Sequence, residues 1–334
     1  MKKRLRNSII ILLLAFPCAE IAARIVGWAP LVNENFSVTA SPNHWLIGDS
    51  ICGLKLNPGE YEITLENAIT FKTTHTERGV RRNPANGDKS REVHVFGCSF
   101  TYGYGVNDAE VFTNLLQEKH DELSVINFGV PGYGTAQSIL QLKEEMGEGS
   151  FPTHAILVYS EVHPERNALA NSYRRALKIG YSRSNSEVDV SMKNARFPFK
   201  TVSSSEIQYA AWEAVYSNWA GRETFAVVHA LQSTLEKEME QEEMTTVTAD
   251  LFAAFITLCV SNQIVPVIVN LDEAEFHTRY KEILERSKVK VIDVGFDFTD
   301  KALTNLPYDS HPNAAGHAMI ASKMERGLRM LLNE

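Results

Sequence analysis

The sequence is short of the residues and spacings that mark several common chemistries. It has four cysteines and no C-x-x-C pair, so neither a zinc ribbon nor a thioredoxin-type redox motif is present. Ten histidines occur, but none in an H-E-x-x-H or similar ligand spacing, and no metal is expected. No G-x-G-x-x-G opens a helix, so no dinucleotide cofactor is expected. Positive charge is also scarce. With 33 basic against 41 acidic residues and a net charge of -8, the chain lacks the basic face that a nucleic-acid partner needs. Internal repeats and low-complexity tracts are missing too.

What is present fits a globular protein with a substantial core. Hydrophobic residues make up 44% and charged residues 22% of 334, enough for one large domain or two small ones. Cys52 and Cys259 could pair in an oxidising compartment, and free thiols are the favoured reading.

The first thirty residues read as a targeting segment. Four of the first six are basic, and an apolar run follows from Ile9 to Ala19. Tolerating Glu20 and Arg24 stretches it over residues 9–26, near the lower limit for a spanning helix. Those two are four apart and could pair on one helix face. Pro17-Cys18-Ala19 suits neither signal cleavage nor a lipobox, so an uncleaved anchor is favoured over a signal peptide or a lipoprotein. Basic flanks stay cytoplasmic, so the rest of the chain is expected to be exported.

Residues 31–90 read as an extension packing on the main domain and ending in a polar surface loop, residues 81–90. From residue 91 short apolar runs alternate with amphipathic stretches. Strands are expected at Val93–Phe96, Ser124–Phe128, Ala155–Tyr159, Ile264–Leu271 and Val289–Val294. Helices are expected at Ala109–His120, Thr135–Met146, about 225–262, near 274–287 and Asn313–Leu332. This is the pattern of an α/β three-layer sandwich around a parallel five-stranded sheet. Residues 168–225 break the pattern and read as a variable insertion. Tyr209, Trp212, Tyr216 and Trp219 fall at helical spacing, as a packing stripe or, if exposed, a surface that stacks on sugars or touches the bilayer, and Glu236–Glu243 reads as a solvated helix face.

In such sheets chemistry sits in the loops at the carboxyl ends of strands. The loop after the first strand reads Gly97-Cys98-Ser99-Phe100-Thr101. It is not a G-x-S-x-G elbow, because Thr101 stands at the second glycine. A serine there needs a base to remove its proton. PYDSHPNAAGH near the end supplies Asp309 and His311, two apart, which point to one side in an extended segment. The carboxylate would then orient the imidazole toward Ser99. Taken alone, Asp309 and His311 also fit an ordinary surface turn before a helix capped by Asn313.

Together the segments resemble the SGNH (GDSL-like) hydrolase family, and AEIAARIVGW resembles its membrane-anchored bacterial branch, which implies a place outside a bacterial cytoplasmic membrane. Gly97-Cys98-Ser99 stands for the first block, Asn127-Phe128-Gly129 for the second, and Asp309, His311 and PNAAGH for the last, over residues 91–334. The resemblance implies a flavodoxin-like fold, Ser99 as nucleophile, His311 as general base and Asp309 as its orienter. It implies an oxyanion hole from the N–H groups of Ser99 and Gly129 and a third donor after the third strand. The family's G-x-N-D is absent there, leaving His163, Asn167 or no donor. Cys98 would point into the sheet as small packing. The implied activity is hydrolysis of a small O-acyl ester on an extracytoplasmic glycan or lipid. Alternatives are an O-acyltransferase, which the one-residue spacing of Asp309 and His311 resembles, and an inactive glycan-binding protein.

Overall fold

The computed structural model describes residues 2–32, 37–85, 91–182, 191–236, 239–272 and 275–332. The chain divides into two compact units, one of residues 1–35 and 216–239, the other of residues 36–215 and 240–334. The smaller unit contains helix α1 (Lys2–Ile25). The larger then runs through five short strands: β1 (Val38–Ser41), β2 (Leu46–Asp49), β3 (Gly53–Leu56), β4 (Gly59–Leu65) and β5 (Ile69–His75). β1, β4 and β5 form an antiparallel sheet, and β2 pairs with β3.

The alternating part follows. It comprises β6 (Glu92–Gly97), α2 (Ser99–Tyr102), α3 (Phe112–Gln117), β7 (Ser124–Gly129), α4 (Thr135–Gly147), β8 (His154–Tyr159), α5 (His163–Asn167) and α6 (Asn171–Ser182). A hairpin of β9 (Arg196–Phe199) and β10 (Gln208–Ala211) leads into α7 (Trp212–Val215). The smaller unit contributes α8 (Ala226–Leu235). The larger unit resumes with α9 (Gln241–Ser261), β11 (Val265–Asn270), α10 (Phe276–Arg279), α11 (Lys281–Ser287), β12 (Lys290–Asp293) and α12 (Ala314–Leu332).

Five strands pair in parallel in the order β12-β11-β8-β6-β7. Their side chains alternate between faces, as the pleat requires. Val93, Val95, Ile156, Val158, Val267 and Val269 share a buried cluster with Phe112 and Leu116 of α3 and Ile320, Met324 and Leu328 of α12. From the opposite face Phe96 meets Phe255 and Tyr159 meets Phe252, both on α9. Helices on both faces make three layers. The chain starts at β6, steps to β7 on one side, and returns to β8 on the other. The crevice at the carboxyl ends of β6 and β8 is therefore the topological switch point, where α/β sheets bind ligands.

Several sequence expectations are corrected. Residues 81–90 are not simply a surface loop. Arg81 and Asn83 are buried, and Arg81 bridges to Asn127 at the β7 edge; residues 86–90 lie outside the described residues. The expected helix Ala109–His120 is a 3-10 turn, Asp108–Glu110, followed by the shorter α3. The Glu110 carboxylate accepts the Asn107 N–H at 2.9 Å and closes the turn, and Val111 is extended. The helices expected over about 225–262 are α8 and α9, with Glu236 and Glu240 extended between them. The aromatic stripe is not one helix face. Tyr209 pairs with Pro198 in the β9–β10 hairpin, Trp212 starts α7, and Tyr216 and Trp219 lie outside helices. Glu236 is not a solvated charge but an acceptor for Arg222 and Gln232. Cys52 and Cys259 are free and buried.

Candidate active site

β6 ends at Gly97 and delivers the chain directly into α2. A Cβ on Gly97 would lie 2.2 Å from Thr101 Oγ1, so the glycine lets α2 fold back over the strand end. Thr101, which spoils the elbow motif, is the residue that demands it. Gly129, at the end of β7, is required for the same reason: its Cβ would lie 2.3 Å from the Tyr102 nitrogen. Cys98 turns into the sheet, joining the core cluster with Val95 and Val158, its Sγ 3.9 Å from Ser160 Oγ. Ser99 therefore faces the other way, toward the end of the sheet, and is 6% exposed.

The loop before α12 meets it there. His311 Nε2 lies 2.7 Å from Ser99 Oγ, and His311 Nδ1 lies 2.5 Å from Asp309 Oδ1. An ionised carboxylate only accepts, so Nδ1 carries the proton and Nε2 is left to accept from the serine hydroxyl. Burial alone would raise the Asp309 carboxyl. The hydrogen bonds from the His311 ring and N–H, with the attraction of the ring, outweigh it and hold the group below its ordinary value. The imidazole is fixed laterally between the rings of Phe100 and Tyr104, 4.9 and 5.0 Å away.

The loop itself is cross-tied. Asn305 N–H donates to the His311 carbonyl at 3.0 Å, and Asn313 N–H to the Leu303 carbonyl at 2.9 Å. Asn313 Nδ2 donates to the Thr304 carbonyl, while its Oδ1 accepts the Gly316 N–H at the start of α12. Gly316 seats that helix against the Leu303 carbonyl, only 2.2 Å from where a Cβ would be. Thus the PNAAGH segment caps α12 and holds the histidine loop at once.

The loop behind Ser99 is held from the other side by Arg81, which is 1% exposed. Its guanidinium donates to the carbonyls of Tyr102 (2.8 Å), Gly103 (2.6 Å) and Val106 (2.7 Å) and to Asp108 Oδ1 (2.8 Å). Gly103 is left-handed, and a Cβ there would sit 2.9 Å from the guanidinium. Sequence reading missed Arg81, because it stood in an apparently polar loop.

The expected oxyanion donors fare differently. Each backbone N–H must be traced to a partner. Gly129 N–H donates to Asn127 Oδ1 at 2.9 Å, so it is engaged elsewhere. Along the same loop Val130 N–H donates to the Gly97 carbonyl, Tyr133 N–H to the Val130 carbonyl and Gly134 N–H to Gln137 Oε1, and Pro131 has none. Gly132 N–H, on a half-buried residue, is the one left without an acceptor among the described residues. Asn167 is fully buried. Its Oδ1 accepts from Thr135 and Ala136 N–H, and its Nδ2 donates to Thr248 and Thr135 hydroxyls. It caps α4 and has no hydrogen left for a substrate. His163 is also fully buried, edge-on to Tyr159, with Nδ1 3.3 Å from Thr135 Oγ1. Burial, and then the charge of Arg166, push it down to about 3, so it is a neutral core histidine. Neither residue has surface to offer a ligand. No cluster of three or more potential metal ligands occurs among the described residues.

No family model matches the chain, and no curated protein matches it. Solved structures do. The psychrotrophic esterase EstA from Pseudoalteromonas sp. is 13% identical over 73% of this chain and 100% of its own, with a TM-score of 0.40. A member of the lipolytic protein G-D-S-L family from Veillonella parvula is 12% identical over 71% and 97%, with a TM-score of 0.39. A GDSL-like lipase from Bacteroides thetaiotaomicron is 11% identical over 72% and 89%, with a TM-score of 0.38. These are likenesses and carry no chemistry.

Proposed function

We propose that the protein is a serine esterase. The observation that carries this is the linked pair of short contacts, Ser99 Oγ to His311 Nε2 and His311 Nδ1 to Asp309. In the first half-reaction Ser99 Oγ attacks the acyl carbonyl carbon while His311 Nε2 takes the hydroxyl proton. The resulting oxyanion is met by the N–H groups of Ser99 and Gly132, each such donor being worth roughly 3–4 kcal/mol. Collapse breaks the bond to the alcohol, which leaves with the proton from His311. A water then repeats the sequence, and the acid departs. Asp309 stabilises the imidazolium at each transfer and does not itself take the proton.

The substrate class we infer is a small O-acyl ester on a glycan or lipid outside the cytoplasmic membrane. The support is α1: its apolar stretch, residues 9–25, gives about 26 Å at 1.5 Å per residue, close to the roughly 30 Å of a bilayer core. Its side chains from Leu14 onward are exposed, Ala23 and Glu20 apart. The exposed apolar side chains of residues 14–25 are suited to lipid, beside the contacts that Phe16 and Glu20 make with residues 225–227.

Hydrolysis of p-nitrophenyl acetate tests the esterase reading. Wild-type protein should turn over, and Ser99→Ala should not. A transferase with the same residues is the second reading, favoured by the one-residue spacing of Asp309 and His311. It predicts that an added glycan acceptor diverts the acyl group from water.

A further inference from the structure

The smaller unit holds a polar cluster in its interior and leaves several large apolar side chains exposed. Arg222 is fully buried and is the hub of its interior. It donates to the Tyr216 hydroxyl, to Glu236 Oε1 at 3.2 Å, to Ser233 Oγ at 3.0 Å and to His229 Nδ1 at 3.1 Å. Gln232 ties the same cluster to the Ser217 carbonyl and to the Trp219 N–H. Three residues of that cluster, His229, Gln232 and Ser233, and Glu236 just beyond, lie along one side of α8. Val227, Val228, Leu231 and Leu235 lie along the other, following the helical repeat. Leu231 is 51% and Leu235 68% exposed. On α8 Gln232 is buried while Leu231 and Leu235 are exposed, the reverse of what water favours at these positions.

α8 is also docked on α1 at a telling place. Glu20, the single acid in the apolar stretch 9–26, accepts the Ala226 N–H at 3.0 Å, the Val227 N–H at 2.9 Å and Arg24 Nε at 2.7 Å. The first N–H groups of a helix have no partner within it, and in lipid they must find one. The same carboxylate is thereby paired, as a charge near hydrocarbon must be. Four residues earlier, Phe16 meets Phe225 edge to face at 5.0 Å.

We propose that α8 is a second lipid contact, lying along the outer boundary between headgroups and acyl chains of a phospholipid bilayer. Val227, Val228, Leu231 and Leu235 face the acyl chains, and the Arg222 cluster backs them. This rests on the reading of α1 as a spanning anchor. Its consequence is that the spanning anchor is flanked by a second, interfacial helix supplied from much later in the chain.

The test uses the full chain with Cys18→Ser in phosphatidylethanolamine–phosphatidylglycerol vesicles. Cys52, Cys98 and Cys259 are buried, so an introduced cysteine takes the nitroxide label. Labels are placed singly at Leu14→Cys, Leu231→Cys, Leu235→Cys and, as an exposed reference, Val202→Cys. Collision with oxygen reports lipid, and collision with a water-soluble nickel chelate reports solvent. Positions 14, 231 and 235 should all show more oxygen and less nickel collision than 202. If 14 does so while 231 and 235 match 202, the anchor stands and the interfacial helix is refuted. If 14 also matches 202, the anchor reading falls and takes this one with it. Spin–spin broadening at 231 and 235 would mean a second copy covers the face, which overturns the lipid assignment.

Discussion

His311 Nε2 approaches Ser99 Oγ to 2.7 Å across a sequence separation of 212 residues. The two are brought together by different devices: Gly97 and Gly129 let α2 fold over the strand ends, and the Asn305 and Asn313 hydrogen bonds close the histidine loop. Asp309 then fixes which ring nitrogen carries the proton.

The first prediction follows from that tautomer. Asp309→Asn keeps the shape but offers an N–H2 where Nδ1–H needs an acceptor. Esterase kcat should fall about 10⁴-fold, the scale seen when a triad carboxylate is lost, while KM changes little. Steady-state kinetics on folded protein decide it. A loss under tenfold would remove Asp309 from the role of orienter.

Arg81 should matter for stability. Arg81→Met leaves the Tyr102, Gly103 and Val106 carbonyls and the Asp108 carboxylate short of a donor in a buried place. A loss of about 3–5 kcal/mol is expected in urea unfolding, the range for breaking a buried ionic network on one side. Arg81→Lys should recover only part of it, because a single ammonium cannot match the guanidinium fork.

Asn167 separates the structural from the catalytic reading. Asn167→Ala removes the cap of α4 and should cost about 1–2 kcal/mol of stability. The kcat of the folded fraction should be unchanged within twofold. A drop of a hundredfold with stability intact would restore Asn167 as an oxyanion donor.

Stability should also fall in mild acid. Burial pushes His75 down to about 4 and His163 and His317 down to about 3. The unfolded chain protonates these rings from about pH 6.5 downward, whereas the folded chain does not. The contribution of each is complete above that pH and shrinks as pH falls toward the folded value. Between pH 7 and 5 each should remove about 2 kcal/mol. Urea midpoints at the two pH values test it, and His317→Phe should flatten the slope by one histidine's share.

The alternating strands and helices of residues 91–167 and 241–332 were legible because the strands are short apolar runs, β6, β7 and β8 buried on both faces, with a helical period between. The Glu20–Arg24 pair was legible because four-residue spacing is local. Arg81 was not, since its meaning comes from carbonyls more than twenty positions away. That the Gly129 N–H already donates to Asn127 Oδ1 could not be read from the sequence, because only the tracing of hydrogen bonds shows which N–H is engaged. His163 and Asn167 misled because a place after a strand does not reveal whether a side chain faces the crevice or the core. The grouping of residues 216–239 with α1 was hidden for the same reason: Arg222 and Glu236 look solvated in sequence and are joined only by the fold.

The most direct measurement is active-site labelling. The intact protein is treated with a fluorophosphonate, digested, and the modified peptide sequenced by mass spectrometry. A single phosphonyl adduct on Ser99, absent after heat denaturation and absent in His311→Ala, is the predicted result. An unlabelled Ser99 in folded protein, or esterase activity surviving Ser99→Ala, would contradict the assignment.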